Sequence, residues 1–85
     1  MDEYDKILYD LGYYASDPLK KEQIKRYVFE AEEFMSGAGV PKCKITSSRA
    51  YAIKSLWADA RDKGTAIHLV SKDSMIVHLI AQLRW

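Results

Sequence analysis

The sequence predicts an all-α protein, a small bundle of about four helices with a long loop between the second and the third. Two observations carry this prediction. Apolar residues recur at spacings of three and four along most of the 85 residues, which is the pattern of amphipathic helices. The four glycines and two prolines fall at the edges of these periodic segments, where they mark helix starts and stops. A chain of this length is expected to form a single helical domain over residues 1–85.

The first two helices follow from their apolar stripes and their boundary residues. The first stripe comprises Tyr4, Ile7, Leu8 and Leu11. Gly12 is its predicted end, and the acidic Asp2 and Glu3 suit its start because the helix dipole is positive there. The second helix is predicted from Pro18 to Met35, with Asp17 as its cap and Pro18 at the first position, where no N–H is needed. Its stripe comprises Ile24, Tyr27, Val28, Ala31, Phe34 and Met35.

Residues 36–45 are predicted to form the long loop, because Gly37, Gly39 and Pro41 follow one another closely. Residues 42–44 are candidates for a short extended piece within it. The third helix is expected to be capped within residues 46–48 and to end at Gly64. Its stripe comprises Ala50, Ile53, Leu56, Trp57 and Ala60.

Residues 65–70 alternate in hydrophobicity, which favours an extended segment. Ser71 is then the predicted cap of the last helix, with Asp73 in its first turn. The apolar stripe of this helix comprises Met75, Ile76, Leu79, Ile80 and Leu83. Because the stripe runs to the end of the sequence, the last helix is expected to close the core.

No group of residues has the spacing that catalysis or metal binding requires. The candidate metal ligands Cys43, His68 and His78 fall in three separate segments. The adjacent Glu32 and Glu33 point apart on a helix, so they are not a carboxylate pair. We therefore expect no enzyme, no metal and no cofactor. The single cysteine fits a reducing cytosol, and neither a signal peptide nor a membrane span is expected.

The charge is unevenly distributed, although the net charge is only +1. Residues 1–18 carry five acidic side chains and one basic, whereas residues 37–64 carry six basic and two acidic. Two interpretations stay open. The segments attract each other within the domain, or they lie on different faces and attract neighbouring copies head to tail.

The aromatic residues divide into core and interface candidates. Tyr4, Tyr27, Phe34 and Trp57 lie on the apolar stripes and are expected in the core. Aromatic side chains left at a surface are typical of protein interfaces. The candidates for such an interface, which fall off or beyond the stripes, are Tyr9, Tyr13, Tyr14, Phe29 and Trp85.

A small helical DNA-binding or regulatory domain is the alternative function. The third helix carries the basic residues Arg49, Lys54, Arg61 and Lys63, and paired helices can form a recognition unit. The near-zero net charge and the acidic residues of the second helix disfavour it, because DNA affinity depends on phosphate neutralisation. A helical adaptor for an unrelated protein is a third possibility.

Three stretches, in order, resemble one known family. Residues 27–35 contain Ala31-Glu32-Glu33 followed by an apolar pair, residues 48–57 have an aromatic residue near their end, and residues 80–85 contain Gln82-Leu83-Arg84 before the final Trp85. In these respects the chain resembles the phage head–tail connector family, small helical head-completion proteins of tailed phages and prophages. It is most similar to a subset that ends in Gln-Leu-Arg-Gly. Trp85 stands where that subset has its final small residue.

The resemblance implies a structural role without catalysis. Members of this family form a ring beneath the portal after DNA packaging, extend its channel and give the tail a docking surface. The implied partners are further copies of the chain, the portal protein and a tail or stopper protein, with no membrane. DNA would pass through the lumen and contact the ring only non-specifically. The implied location is the virion, and the host bacterial cytoplasm during assembly.

Overall fold

The computed structural model describes residues 2–13 and 18–84, and its regular secondary structure there is entirely helical. The helices are α1 (Glu3–Asp10), α2 (Pro18–Gly37), α3 (Lys42–Ile45), α4 (Ser48–Asp62), α5 (Ile67–Val70) and α6 (Ser74–Leu83). The all-α prediction is confirmed. The four longer helices are the four that the sequence predicts, and the count rises to six within the described residues because both long connections contain a helical turn.

The predictions of an extended piece at residues 42–44 and of an extended segment at residues 65–70 are wrong. Residues 42–45 form α3 after Pro41, and residues 67–70 form α5 between Ala66 and Ser71. In the described parts of the chain neither segment has a strand beside it, so its backbone groups must bond locally, and a helical turn provides this. Each turn also buries one apolar side chain, Ile45 or Val70, in the core.

The helix starts follow the predicted capping chemistry with one correction. The side chain of Asp2 accepts a hydrogen bond from the Asp5 backbone N–H at 2.9 Å, and Ser47 accepts one from the Ala50 N–H at 3.3 Å. Asp73, rather than Ser71, caps α6, accepting hydrogen bonds from two amides of its first turn at 3.0 and 3.3 Å. Ser71 is instead bound to the carbonyl of His68 in the preceding turn. The cap of α2 predicted at Asp17 lies outside the described residues.

The buried residues form two clusters that α2 and α4 share. The larger cluster joins the second half of α2 to α4 and α6, and the smaller one packs α1 against the first half of α2. The helix α4 contacts each of the other five helices. It is therefore the centre of the fold, which measures 37 × 25 × 16 Å over the described residues.

Two predicted core residues are exposed instead. Leu56 of α4 is 39% exposed, and Met75 of α6 is also exposed. The buried face of α4 runs through residues 50, 53, 54, 57 and 58, so Lys54 and Ala58 occupy the interior in place of Leu56. In the described part of the chain, no helix is both long enough and apolar enough to cross a membrane.

Candidate functional site

Two of the five predicted interface residues are largely exposed on helices. Tyr9 of α1 is 71% exposed and Phe29 of α2 is 61% exposed. Tyr13 is half-buried, whereas Tyr14 and Trp85 lie outside the described residues. Tyr9 and Phe29 are on different helices, so the structure presents two separate aromatic surface positions.

Tyr13 is tied to the fold by its hydroxyl and its ring. The hydroxyl donates a 2.7 Å hydrogen bond to Asp62 at the end of α4, and the ammonium of Lys20 lies 4.4 Å from the ring centre. Lys20 also forms a 2.6 Å ion pair with Asp62. Burial raises the pKa of Asp62, but the hydrogen bonds from Lys20 and Tyr13 outweigh it, and the pKa lies below its usual value. Tyr13 therefore joins the end of α1 to α2 and α4.

Several apolar side chains that the sequence analysis did not assign to a surface are also exposed. They are Leu19, Leu56, Ile67, Leu69, Met75 and Val77. Leu19 is 80% exposed, and its spacing from the buried residues of α2 already places it off their face. Val77 likewise falls off the predicted stripe of α6. Ile67, Leu69, Leu56 and Met75 could not be identified in this way, because α5 was not predicted and the other two residues were assigned to buried stripes.

One cleft lies between α1 and the start of α4 and has a volume of about 520 Å³. Its lining combines acidic, basic, hydroxyl and aromatic side chains: Glu3, Lys6, Tyr9, Asp10, Thr46, Ser47, Ser48 and Tyr51. The hydroxyl of Tyr51 donates a 2.9 Å hydrogen bond to Asp10 across the cleft. Burial, then this hydrogen bond, raises the pKa of Tyr51 to about 12. The tyrosine is thus a poor proton donor near neutral pH.

A second groove lies between α4 and α6 and has a volume of about 590 Å³. It is lined by Arg49 and Ala52 of α4 and by Leu79 and Gln82 of α6. The first half of α4 therefore lies beside the second half of α6, and the two helices run antiparallel. The lining of the groove thus combines a cation and an amide with two apolar side chains.

Part of the acidic N-terminal charge is neutralised within the chain. Lys54 is only 2% exposed, and its ammonium lies 3.0 Å from a carboxylate oxygen of Glu3 and 3.6 Å from one of Glu32. The ammonium of Lys21 lies 3.1 Å from carboxylate oxygens of both Asp2 and Asp5. The Lys54–Glu3 pair joins the basic segment to the acidic one, which agrees with attraction between these segments within the domain, whereas Lys21 and Glu32 belong to neither segment.

Glu30 of α2 also binds side chains of α4. Its carboxylate accepts hydrogen bonds from Nε of Arg61 at 2.9 Å and from the Trp57 indole at 3.2 Å. The hydrogen bond to Glu30 raises the pKa of Arg61 further. The ring of Phe34 packs 5.2 Å from that of Trp57, so the polar link lies beside an aromatic contact. These contacts join α2 to α4.

The charges left after this pairing are mainly basic. Within the described residues, no carboxylate pairs with the exposed cations Lys6, Arg26, Lys42, Arg49, Lys72 and Arg84. Glu33 is exposed too, and in the same part of the chain it is the one acidic side chain without a hydrogen bond or ion pair. For the second interpretation of the charge, attraction between copies, these exposed groups without a partner are the first candidates.

The candidate metal ligands are not brought together. Cys43 is exposed on α3, His68 is exposed on α5, and His78 lies 3.2 Å from Gln82 along α6. Across residues 2–13 and 18–84, no three histidine, cysteine or carboxylate side chains are placed to hold a metal ion. Comparison with protein-family models, with curated proteins and with solved structures found no match to this chain.

Proposed function

We propose that this protein is a structural assembly subunit of the phage head–tail connector type, acting through protein contacts rather than catalysis. The observation that carries the proposal is the exposure of Tyr9 and Phe29 on well-formed helices. Large apolar side chains held rigidly at a surface lose little entropy on binding and are enriched where proteins meet. The resemblance supports the same role, since its three stretches fall in α2, α4 and the end of α6.

In this role the chain would form a ring with copies of itself between the portal and a tail or stopper protein. Each subunit would use two different surfaces, because a ring is built from heterologous contacts. DNA would cross the lumen with weak, salt-sensitive contacts to cations such as Lys42 and Lys72. The location would be the virion, reached from the host cytoplasm.

The first test is light scattering on the purified protein from micromolar to millimolar concentration, at low and moderate salt. A discrete oligomer that weakens as salt rises is the expected result, because complementary charges at an interface are screened by salt. Phe29→Ala should shift the assembly to higher concentration without changing the unfolding midpoint. The matched control is His68→Ala, which changes another exposed helical side chain and should leave assembly unchanged.

The alternative, a small DNA-binding or regulatory domain, rests on the exposed unpaired cations. It predicts retention on heparin and a binding constant for DNA that falls steeply with salt. A protein that stays monomeric throughout the scattering series and binds DNA with such a slope would contradict the connector proposal. Weak DNA binding by an oligomer would agree with passage through a lumen.

A further inference from the structure

We infer that the groove between α4 and α6 binds the exposed face of α2 from a second copy of this chain. This inference rests on the proposed function, because it identifies the contact through which the subunits would assemble. The inference is based on two charged side chains that have no ion pair within the described residues. Arg49 lies in the groove without an ion pair to any described carboxylate, and Glu33 of α2 is the acidic side chain that has no partner within residues 2–13 and 18–84.

The exposed face of α2 has the side chains that such a groove would bind. Phe29 and Glu33 are four residues apart, so they lie on the same face of the helix and about 6 Å apart along its axis. Phe29 is 61% exposed and lies away from the residues of α2 that face the core. This face therefore offers an aromatic ring followed by a carboxylate.

The groove offers the matching groups in the same order. Arg49 and Ala52 are about 4.5 Å apart along α4, and Gln82 and Leu79 have the same spacing along α6. The small Ala52 leaves space above the groove floor, and Leu79 supplies an apolar wall. When Glu33 of one copy pairs with Arg49 of another and the docked α2 runs antiparallel to α4, Phe29 lies over this apolar part.

Two further apolar side chains continue the surface of the groove along α4 and α6. Leu56 follows Ala52 by four residues and Met75 precedes Leu79 by four, so both continue the two walls. Both are exposed, although the sequence pattern assigns them to the core. A second copy docked along the groove would cover them.

The two docking surfaces lie on opposite sides of the subunit. Lys54, Trp57 and Arg61 of α4 contact carboxylates of α2. At 100° per residue, the groove residues 49 and 52, with residue 56 beyond them, lie roughly 140° around α4 from these three residues. The exposed face of α2 points away from α4, so one copy can bind a neighbour on each side. Such a heterologous contact closes into a ring or continues as a filament.

A charge-reversal cycle tests this contact, with self-association measured by sedimentation velocity. Glu33→Arg and Arg49→Glu should each weaken association by about tenfold or more, because each places like charges at the contact. The two changes combined should restore association to within about threefold of the wild type. Lys42→Glu is the matched control, since it makes the same charge change on α3, outside the groove, and should have no effect.

A second variant probes the groove without changing charge. Ala52→Leu fills the groove floor at an exposed helical position and should weaken association as Arg49→Glu does. Circular dichroism of each variant checks that it is folded. In nuclear magnetic resonance spectra of the wild type, rising concentration should shift the amide signals of residues 29, 33, 52 and 79.

The outcomes separate this inference from the proposed function. Oligomers that tolerate both charge reversals and Ala52→Leu would overturn the docking of α2 in the groove and leave self-assembly standing. Single reversals that weaken association without recovery in the double variant would also overturn the Glu33–Arg49 contact. A wild type without association or concentration-dependent shifts would overturn both.

Discussion

Lys54 is a charged residue in the interior of this small domain. It is 2% exposed, and its ammonium lies between Glu3 of α1 and Glu32 of α2. Removing charges from water has a large cost, which the contacts with two carboxylates offset. The carboxylates themselves are about one-third exposed, with side-chain exposures of 32% and 35%, so water stabilises them if the cation is lost.

Because the ammonium is buried and the carboxylates are partly exposed, replacing the lysine and replacing the glutamates should change the free energy of unfolding by different amounts. Lys54→Met keeps the apolar stem and leaves carboxylates that water can reach, so the free energy of unfolding should change by no more than about 1 kcal/mol. Glu3→Gln combined with Glu32→Gln leaves a buried ammonium without a counter-charge and should cost about 3 kcal/mol. Urea unfolding measures both. Equal losses in the two variants would contradict this account of the buried cation.

Tyr51 provides a prediction for alkaline pH. Its pKa is raised to about 12, against about 10 in an unfolded chain. The folded state thus holds this proton more tightly, and the resulting stability is present below pH 10 and lost as the pH rises to about 12. Tyr51→Phe should unfold at lower urea concentration at neutral pH but lose less stability over that alkaline interval. Identical alkaline losses in Tyr51→Phe and the wild type would rule out Tyr51 as their source.

Tyr13 has a different role from the one its sequence position indicates. The sequence analysis treats it as an interface residue, whereas its hydroxyl binds Asp62 and its ring lies under Lys20. Asp62 lies 49 residues further along the sequence, and no local pattern identifies such a partner. Tyr9 and Phe29 remain predictions as interface residues, and their exposure leaves them available for contacts.

At the scale of the helices, the sequence predicts the features whose cause lies within a few residues and misses those that depend on contacts between distant residues. The starts and ends of α1, α2 and α4 follow from caps, Pro18 and glycines, all within a few residues of the helix. The short α3 and α5 contain too few residues to show a period. The groove requires Arg49 and Leu79 to meet across two helices, and apolar periodicity contains no information on that pairing.

The end of α2 allows a matched test of two glycines. Gly39 has φ of +92° just beyond the helix, a conformation that side chains disfavour, whereas Gly37 is the last residue of the helix. A Cβ at Gly39 would meet Nε of Arg84 at 3.6 Å, an ordinary contact, so the strain there comes from the backbone. Gly39→Ala should therefore lower the free energy of unfolding by about 1 kcal/mol.

The neighbouring change should act in the opposite direction. Gly37→Ala has open space for its methyl group and should raise the free energy of unfolding by about 0.5 kcal/mol, because alanine favours the helix. Thermal and urea unfolding of both variants would compare them directly. If both changes lowered stability alike, the helix would not end between these two residues in solution.

At the scale of the whole molecule, the two core clusters differ in size and share α2 and α4. The smaller cluster holds α1 through its buried residues Ile7 and Leu8, whereas the larger one holds α6 through Ile76, Ile80 and Leu83. Helices with few buried contacts open at lower free energy than the rest of the domain. We therefore expect α1 to open while α2, α4 and α6 stay folded.

Hydrogen exchange of paired variants tests this order of opening. Ile80→Val removes one buried methylene from the larger cluster and should cost about 1 kcal/mol of global stability. Because opening α1 leaves the contacts of Ile80 intact, this change should lower the protection of α4 amides but not that of α1 amides. Ile7→Val should lower protection in both helices, since its contacts are lost in the local and the global opening. If both variants reduced protection equally in α1 and α4, the domain would unfold as one unit, and α1 would be as firmly held as the centre of the fold.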